Sequence, residues 1–507
     1  MFAILALVSA WAAPAQDWKD LAKELHGARD GYEVAQASRA FAEVRDPAAM
    51  QERVEIFEDK LEIRGGVHLR DWLISGMISA ETADETEVLL EAAAHRKASA
   101  LLRVSALRAL RRGKAPVSAE HLLDRAFLKT EGELRRAWQN TAGAVLAQGR
   151  LIESRKATAA AVRARLLDDG MPFLGFRWVA PEVEELSKIL DAAKDSKHAS
   201  DRAQLLHVLA PHLRQHAEVR AAWLELLARA VASGSLAERV AAWESTLAGQ
   251  AYEAFPILLQ GLQRASAEDQ GSRHQRDYAQ ALRQLTGQQF GDAPQAWDRW
   301  WAESGQSWLE SAIREAPKAP KPAAPQDDAT VAAFFGIPVD SNRIGFVLDG
   351  SGSMLDPLED GRRCADAAIE ELIAFLDRYP QDALFQLRII VRDSESPFDE
   401  PVQASARNRK KALQFIERFD FGPASAMYDV LLLAQQDHGI DTLVFVSDGG
   451  GSWGSYAFAP HMLDGLQLAY ERSGVRIHTI CVGKSAPKAR FMEQLAGLTR
   501  GICSRID

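Results

Sequence analysis

Residues 343–354 read RIGFVLDGSGSM. A run of apolar and small residues with strand character stops on Asp349 and gives way at once to Gly350, Ser351, Gly352 and Ser353. Glycine and serine are ordinary residues for leaving a strand, so a simple turn is one reading. A metal site is the other, because Asp349, Ser351 and Ser353 offer hard oxygen groups at alternate positions.

Outward from this stretch, apolar runs alternate with amphipathic segments. Strands are expected at 344–348, 384–391, 442–446 and 475–482. Between them Ile369, Leu372, Ile373 and Leu376 share one helical face, and Phe415 with Phe419 another. This alternation predicts a largely parallel sheet covered by helices on both faces. In such sheets ligands bind beyond the carboxyl ends of the strands. Asp349 stands at one such end and Asp448, closing the strand in TLVFVSDGG, at another. Two aspartates on one edge, with serines beside them, make an oxygen-rich pocket suited to Mg²⁺ or Mn²⁺.

DGSGSM matches the D-x-S-x-S motif of the von Willebrand factor A-type domain, also called integrin I-like, with its metal-ion-dependent adhesion site. The chain resembles that family from about residue 340 to residue 507. The resemblance implies a doubly wound, Rossmann-like α/β domain, whose bounds are set at 331–507. It also implies a metal site completed by a hydroxyl from a second loop and an aspartate from a third. GPASAMYDVL places Ser425 where the family has threonine, and VSDGG supplies Asp448. Serine keeps the hydroxyl and drops a methyl group. The implied metal set is therefore Asp349, Ser351, Ser353, Ser425 and Asp448, with the hydroxyls on the ion and the aspartates acting mainly through water. By the same resemblance, an open coordination position takes an Asp or Glu carboxylate of a protein partner.

Two other chemistries compete with this one. A haloacid-dehalogenase-like phosphatase needs a second acid two residues after the first, where this chain has Ser351. An enzyme using the metal as a Lewis acid is the alternative function. Against it, none of DGSGSM, GPASAMYD and SDGG brings His, Glu or Lys, so no enzyme is expected. A scaffold with a vestigial site is a third possibility. DGGGSWGSY reads first as no more than a flexible glycine turn, with Trp453 as an exposed contact at the rim the other option. The P-loop Lys and Ser/Thr are missing, so no phosphate cradle is expected.

Residues 17–313 read as successive helices. Leu101, Val104, Leu107 and Leu110 fall on one face, as do Val240, Trp243 and Leu247, and short Gly, Pro or Asp breaks separate such segments. Stacked helical hairpins, an α solenoid, are expected. The end of this region loosely resembles HEAT-like repeats of large exported bacterial proteins. Trp297, Trp300 and Trp301 sit at helical spacing and are read as the cover on the end of the stack rather than a sugar platform. His212 and His216, four apart, are read as a solvated helix face without a third zinc ligand. Residues 314–330, rich in proline, are read as an extended linker.

The first 15 residues form an apolar run ending in Ala13-Pro14-Ala15, the pattern of a cleaved signal peptide, so export to the periplasm or medium is expected. No other stretch is apolar enough to span a membrane. With 60 Lys+Arg against 70 Asp+Glu the net charge is -10, which argues against general affinity for nucleic acid. The three cysteines, Cys364, Cys481 and Cys503, form no disulfide framework or zinc motif and are read as buried thiols, with a Cys481–Cys503 bridge as the other option.

Overall fold

Mostly aliphatic and aromatic residues fill the long strands, which are buried on both faces along nearly their whole length. The computed structural model describes residues 17–506 apart from 28–30, 59–65, 124–126, 128–131, 153–155, 169–172, 177, 180, 197, 214–215, 269–271, 315–332, 423, 458 and 484–485. The expected signal peptide and all of the proline-rich segment except Arg314 lie outside the described residues. A short antiparallel pair, β1 (Ala333–Phe334) and β2 (Ile337–Pro338), precedes the main sheet. The sheet contains β3 (Arg343–Asp349), β4 (Leu384–Ile390), β5 (Ser394–Glu395), β6 (Val402–Gln403), β7 (Thr442–Ser447), β8 (Arg476–Val482) and β9 (Cys503–Ile506). Its order is β5-β4-β3-β7-β8-β9, with β6 also on β4.

β4, β3, β7, β8 and β9 run parallel, whereas β5 and β6 are antiparallel to β4. The four expected strands appear with ends within one residue of those read from the sequence. From β3 the chain moves to β4 on one side and later returns to β7 on the other, so the strand order reverses at β3. A crevice opens where the connections diverge, beyond Asp349 and Ser447.

Eight helices lie on the sheet or join it to the helical rows. They are α1 (Ala199–Leu209), α2 (Leu236–Gly249), α3 (His274–Thr286), α4 (Cys364–Arg378), α5 (Ala406–Glu417), α6 (Met427–Ala434), α7 (Ala459–Ser473) and α8 (Ala486–Leu498). Ile344, Phe346 and Leu348 of β3 share a core with Leu372, Phe375 and Leu376 of α4 and Ala412 and Ile416 of α5. Val347, Leu443 and Phe445, alternate in the pleat, are buried on the opposite face. There α6 packs on β3, and α8 on β8. The buried face of α4 includes Ala365, Ala368 and Phe375 beside the expected Leu372 and Leu376, and leaves Ile369 and Ile373 only half-buried.

The chain divides into two compact units, 1–162 and 163–507. In the first, Ala83–Ala94 starts at a capping box in which Thr82 and Glu85 satisfy each other's backbone N–H groups. That helix packs on Ala100–Arg112, which in turn packs on Gly66–Ile78 and Gly132–Ala147. In the second unit α1 packs on α2 and α2 on α3, while Ala217–Ser233 and Phe255–Glu268 pack as a second row. Trp297 is fully buried, and the rings of Trp297, Trp300, Trp301 and Trp308 surround Phe255 at centroid distances of 6.2, 5.4, 4.5 and 5.6 Å. These tryptophans serve packing.

Within the second unit the helical rows and the sheet share a buried boundary. α1 and α2 pack on α7. Arg273, just before α3, donates to the Gly474 carbonyl, and Asp277 of α3 pairs with Arg476 at the start of β8. Glu244 of α2 accepts from Tyr470 Oη of α7 and Arg500 Nε, each at 2.9 Å. These contacts lie at the amino ends of the strands, opposite Asp349.

Candidate metal centre

The site begins with the last residue of β3. Asp349 is 1% exposed. Its Oδ1 accepts the Ser351 N–H at 2.9 Å and its Oδ2 the Ser447 hydroxyl at 2.6 Å. Burial pushes this carboxyl above the ordinary range; hydrogen bonds from Ser447 and Ser351 oppose the rise, and nearby Asp448 adds to it. The Ser351 and Ser353 hydroxyls stand 3.0 Å apart. Gly350 permits the turn because its N–H bonds the Ile390 carbonyl at 2.8 Å, and a Cβ there would lie 2.7 Å from that oxygen.

A second loop is fastened to the first: the Gly422 N–H bonds the Gly350 carbonyl at 2.9 Å, and Ala426 N–H bonds Val391 carbonyl at 2.7 Å. Ser425 lies in it. Its N–H donates to Ser452 Oγ at 3.1 Å, and its carbonyl accepts from Ser452 and Trp453 N–H, each at 3.0 Å. The backbone is fully engaged, yet the side chain is 0% exposed and its Oγ has no hydrogen-bond partner among the described residues. A buried hydroxyl left unpaired costs about 1–3 kcal/mol.

Asp448 follows β7. Its Oδ1 accepts the Gly450 N–H at 3.2 Å, and its Oδ2 pairs with Lys488 Nζ at 2.5 Å. The sequence reading missed Lys488, which arrives from the first turn of α8 and belongs to none of the quoted motifs. The signal that could have suggested such a neighbour is the glycine run after Asp448. A Cβ on Gly449 would meet the Lys488 carbonyl oxygen at 2.7 Å, and one on Gly450 would meet Lys488 Nζ at 2.8 Å. Those glycines make room for a close neighbour as well as a turn.

All five predicted residues thus stand at the carboxyl end of the sheet, on loops hydrogen-bonded to one another or on the strand ends themselves. Among the described residues no group of three or more His, Cys, Asp and Glu is placed to hold a metal ion. Any cation here would sit among two carboxylates and the hydroxyls of Ser351, Ser353 and Ser425. All are hard oxygen donors that fit Mg²⁺ or Mn²⁺, and the unpartnered Ser425 hydroxyl is what such an ion would satisfy.

Trp453 is 43% exposed, with the exposed Arg392 guanidinium 5.1 Å from its ring centre, so it stands at the rim. His212 closes a short 3₁₀ turn and His216 precedes Ala217–Ser233, so the two do not share the single helix face read from their spacing. None of the three cysteines is in a disulfide, and Cys481 and Cys503 stand on neighbouring strands but out of register. No helix among the described residues is long and apolar enough to cross a membrane.

No family model matches the chain, and no curated protein does. Among solved structures, a von Willebrand factor type A protein from Catenulispora acidiphila is similar at 17% identity, over 34% of this chain and 40% of that one, with a TM-score of 0.28. The Deinococcus radiodurans RO (RSR) protein is similar at 15% identity, over 94% of this chain and 93% of that one, with a TM-score of 0.22.

Proposed function

We propose that this is an exported, non-enzymatic binding protein in which a HEAT-like solenoid accompanies a von Willebrand A-type domain. That domain holds Mg²⁺ or Mn²⁺ and, through it, an acidic residue of a protein partner. The observation that carries the reading is the Ser425 hydroxyl, buried and unpartnered in a loop fastened to the Asp349–Ser353 turn. Ser351, Ser353 and Ser425 would hold the ion directly, and Asp349 and Asp448 would anchor its waters. When bound, the ion supplies an electrophilic position for an anionic oxygen. Neutral hydroxyl donors leave most of its charge available to the partner's carboxylate. Ser447 and the Ser351 N–H keep Asp349 oriented.

The test is a thermal melt of the full chain across Mg²⁺ and Mn²⁺ titrations, beside Asp349→Asn, which keeps a hydrogen-bond acceptor and removes the charge. The wild type should gain stability in step with the logarithm of ion concentration above Kd, by about 2.7 kcal/mol at a hundred times Kd, and the variant should not. A flat wild-type response to both ions would overturn the reading. Capture of a partner from the native exported fraction should then require the ion.

A further inference from the structure

We propose that Lys488 is a resident cation that competes with the divalent ion for Asp448, so that the centre loads only when the ammonium group moves away. This rests on the reading of the centre given above. Asp448 has both oxygens engaged, one by the Gly450 N–H and one by Lys488 Nζ at 2.5 Å. An ammonium group has no lone pair, so it cannot join a metal's coordination shell. A divalent ion drawn to Asp448 is repelled by a positive charge at that distance.

Two features mark the contact as built into the site. Gly449 and Gly450 are the positions where any side chain would collide with Lys488, and they directly follow the carboxylate it holds. Asp349 accepts neutral hydrogen bonds from Ser447 and Ser351, whereas Asp448 is paired with a positive charge, that of Lys488. The lysine side chain is also 37% exposed, against 13% for Asp448, which gives the ammonium solvent to move into while the carboxylate stays. The consequence is a raised threshold: metal affinity is set by Lys488 as well as by the five oxygen-bearing residues.

Calorimetric titration of the full chain with Mg²⁺ and with Mn²⁺ tests this in the wild type, Lys488→Met, Lys488→Arg and Gly450→Ala. Methionine keeps the aliphatic stem without the charge and should tighten metal binding about ten-fold. Arginine keeps the charge and should bind no tighter than wild type. Alanine at 450 places a Cβ 2.8 Å from Nζ, which must shift, and only 3.5 Å from Asp448 Oδ1, an ordinary contact. It should move affinity in the direction of Lys488→Met while retaining the lysine, and it decides the matter if the methionine variant fails to fold. Saturable wild-type binding with Lys488→Met and Gly450→Ala within two-fold of it, or weaker, overturns the competition and leaves the metal centre standing. Absence of binding in every form overturns both.

Discussion

Asp277→Ala tests the buried charges that join the helical rows to the sheet in residues 163–507. Asp277 is 3% exposed; its Oδ1 pairs with Arg476 and its Oδ2 lies 3.6 Å from Arg273 Nε. Burial by itself would raise this carboxyl, but Arg476, Arg273 and His274 outweigh it and hold the group below the ordinary carboxylate range. Removing one member of a buried pair costs about 3–5 kcal/mol, because the partner's charge stays buried. Arg476 retains Asp340 at 3.4 Å, so the lower end, about 3 kcal/mol, is expected. The assay is urea unfolding at neutral pH, for Asp277→Ala, Arg476→Met and the double variant. The double variant should cost about 1–3 kcal/mol less than the sum of the singles. Since Asp277 is depressed, its contribution is present above the unfolded carboxylate pKa and is lost as pH falls through the lower folded value. The deficit of Asp277→Ala should accordingly shrink in acid. A loss below about 1 kcal/mol, or additive singles, would refute the reasoning.

Ser425→Ala removes a buried hydroxyl that has no partner, so without metal the protein should be as stable as wild type or more so by about 1 kcal/mol, while the Mg²⁺-dependent gain disappears. Melts with and without the ion check both halves, and a large loss in the metal-free variant would show that Ser425 has another task. His478, whose Nδ1 accepts the Ile502 N–H at 3.1 Å, is lowered to about 3 by burial, then by Arg476 and Arg273. The unfolded imidazole takes up a proton near pH 6.5 and the folded one does not. Stability should therefore fall by up to about 1.4 kcal/mol per pH unit from about pH 6.5 toward about 3. Urea midpoints across that range should be flatter in His478→Gln, and an unchanged slope would remove His478 as the cause.

The main strands were legible because each is a short apolar run bounded by polar or glycine-rich turns, and because burial on both faces leaves no alternation to confuse the reading. The Asp349 turn was legible for a similar reason: its aspartate, glycines and serines are consecutive, so chemistry and turn share one local signature. Asp448 was legible as the end of a second apolar strand on the same sheet edge, whereas Ser425 was placed only through a family resemblance. Trp297 and its neighbours were assigned to packing from helical spacing, and the rings do pack on Phe255. The stripe of α4 was read only in part, because alanine is nearly silent in an apolar periodicity, yet Ala365, Ala367 and Ala368 are buried there beside Leu372 and Leu376.

What the sequence by itself determined is local: where strands and helices form, and that Asp349, Ser351 and Ser353 leave β3 together, since backbone propensity and side-chain period act over a few residues. Tertiary structure decided whatever depends on distant segments meeting. It brought Lys488 to Asp448 across 40 residues of chain and Arg476 to Asp277 across 199. It also left the Ser425 hydroxyl buried without a partner. The physical reason is that a charge or hydroxyl has its energy fixed by what desolvates it and what opposes it. Both are set by packing between elements that no spacing along the chain records.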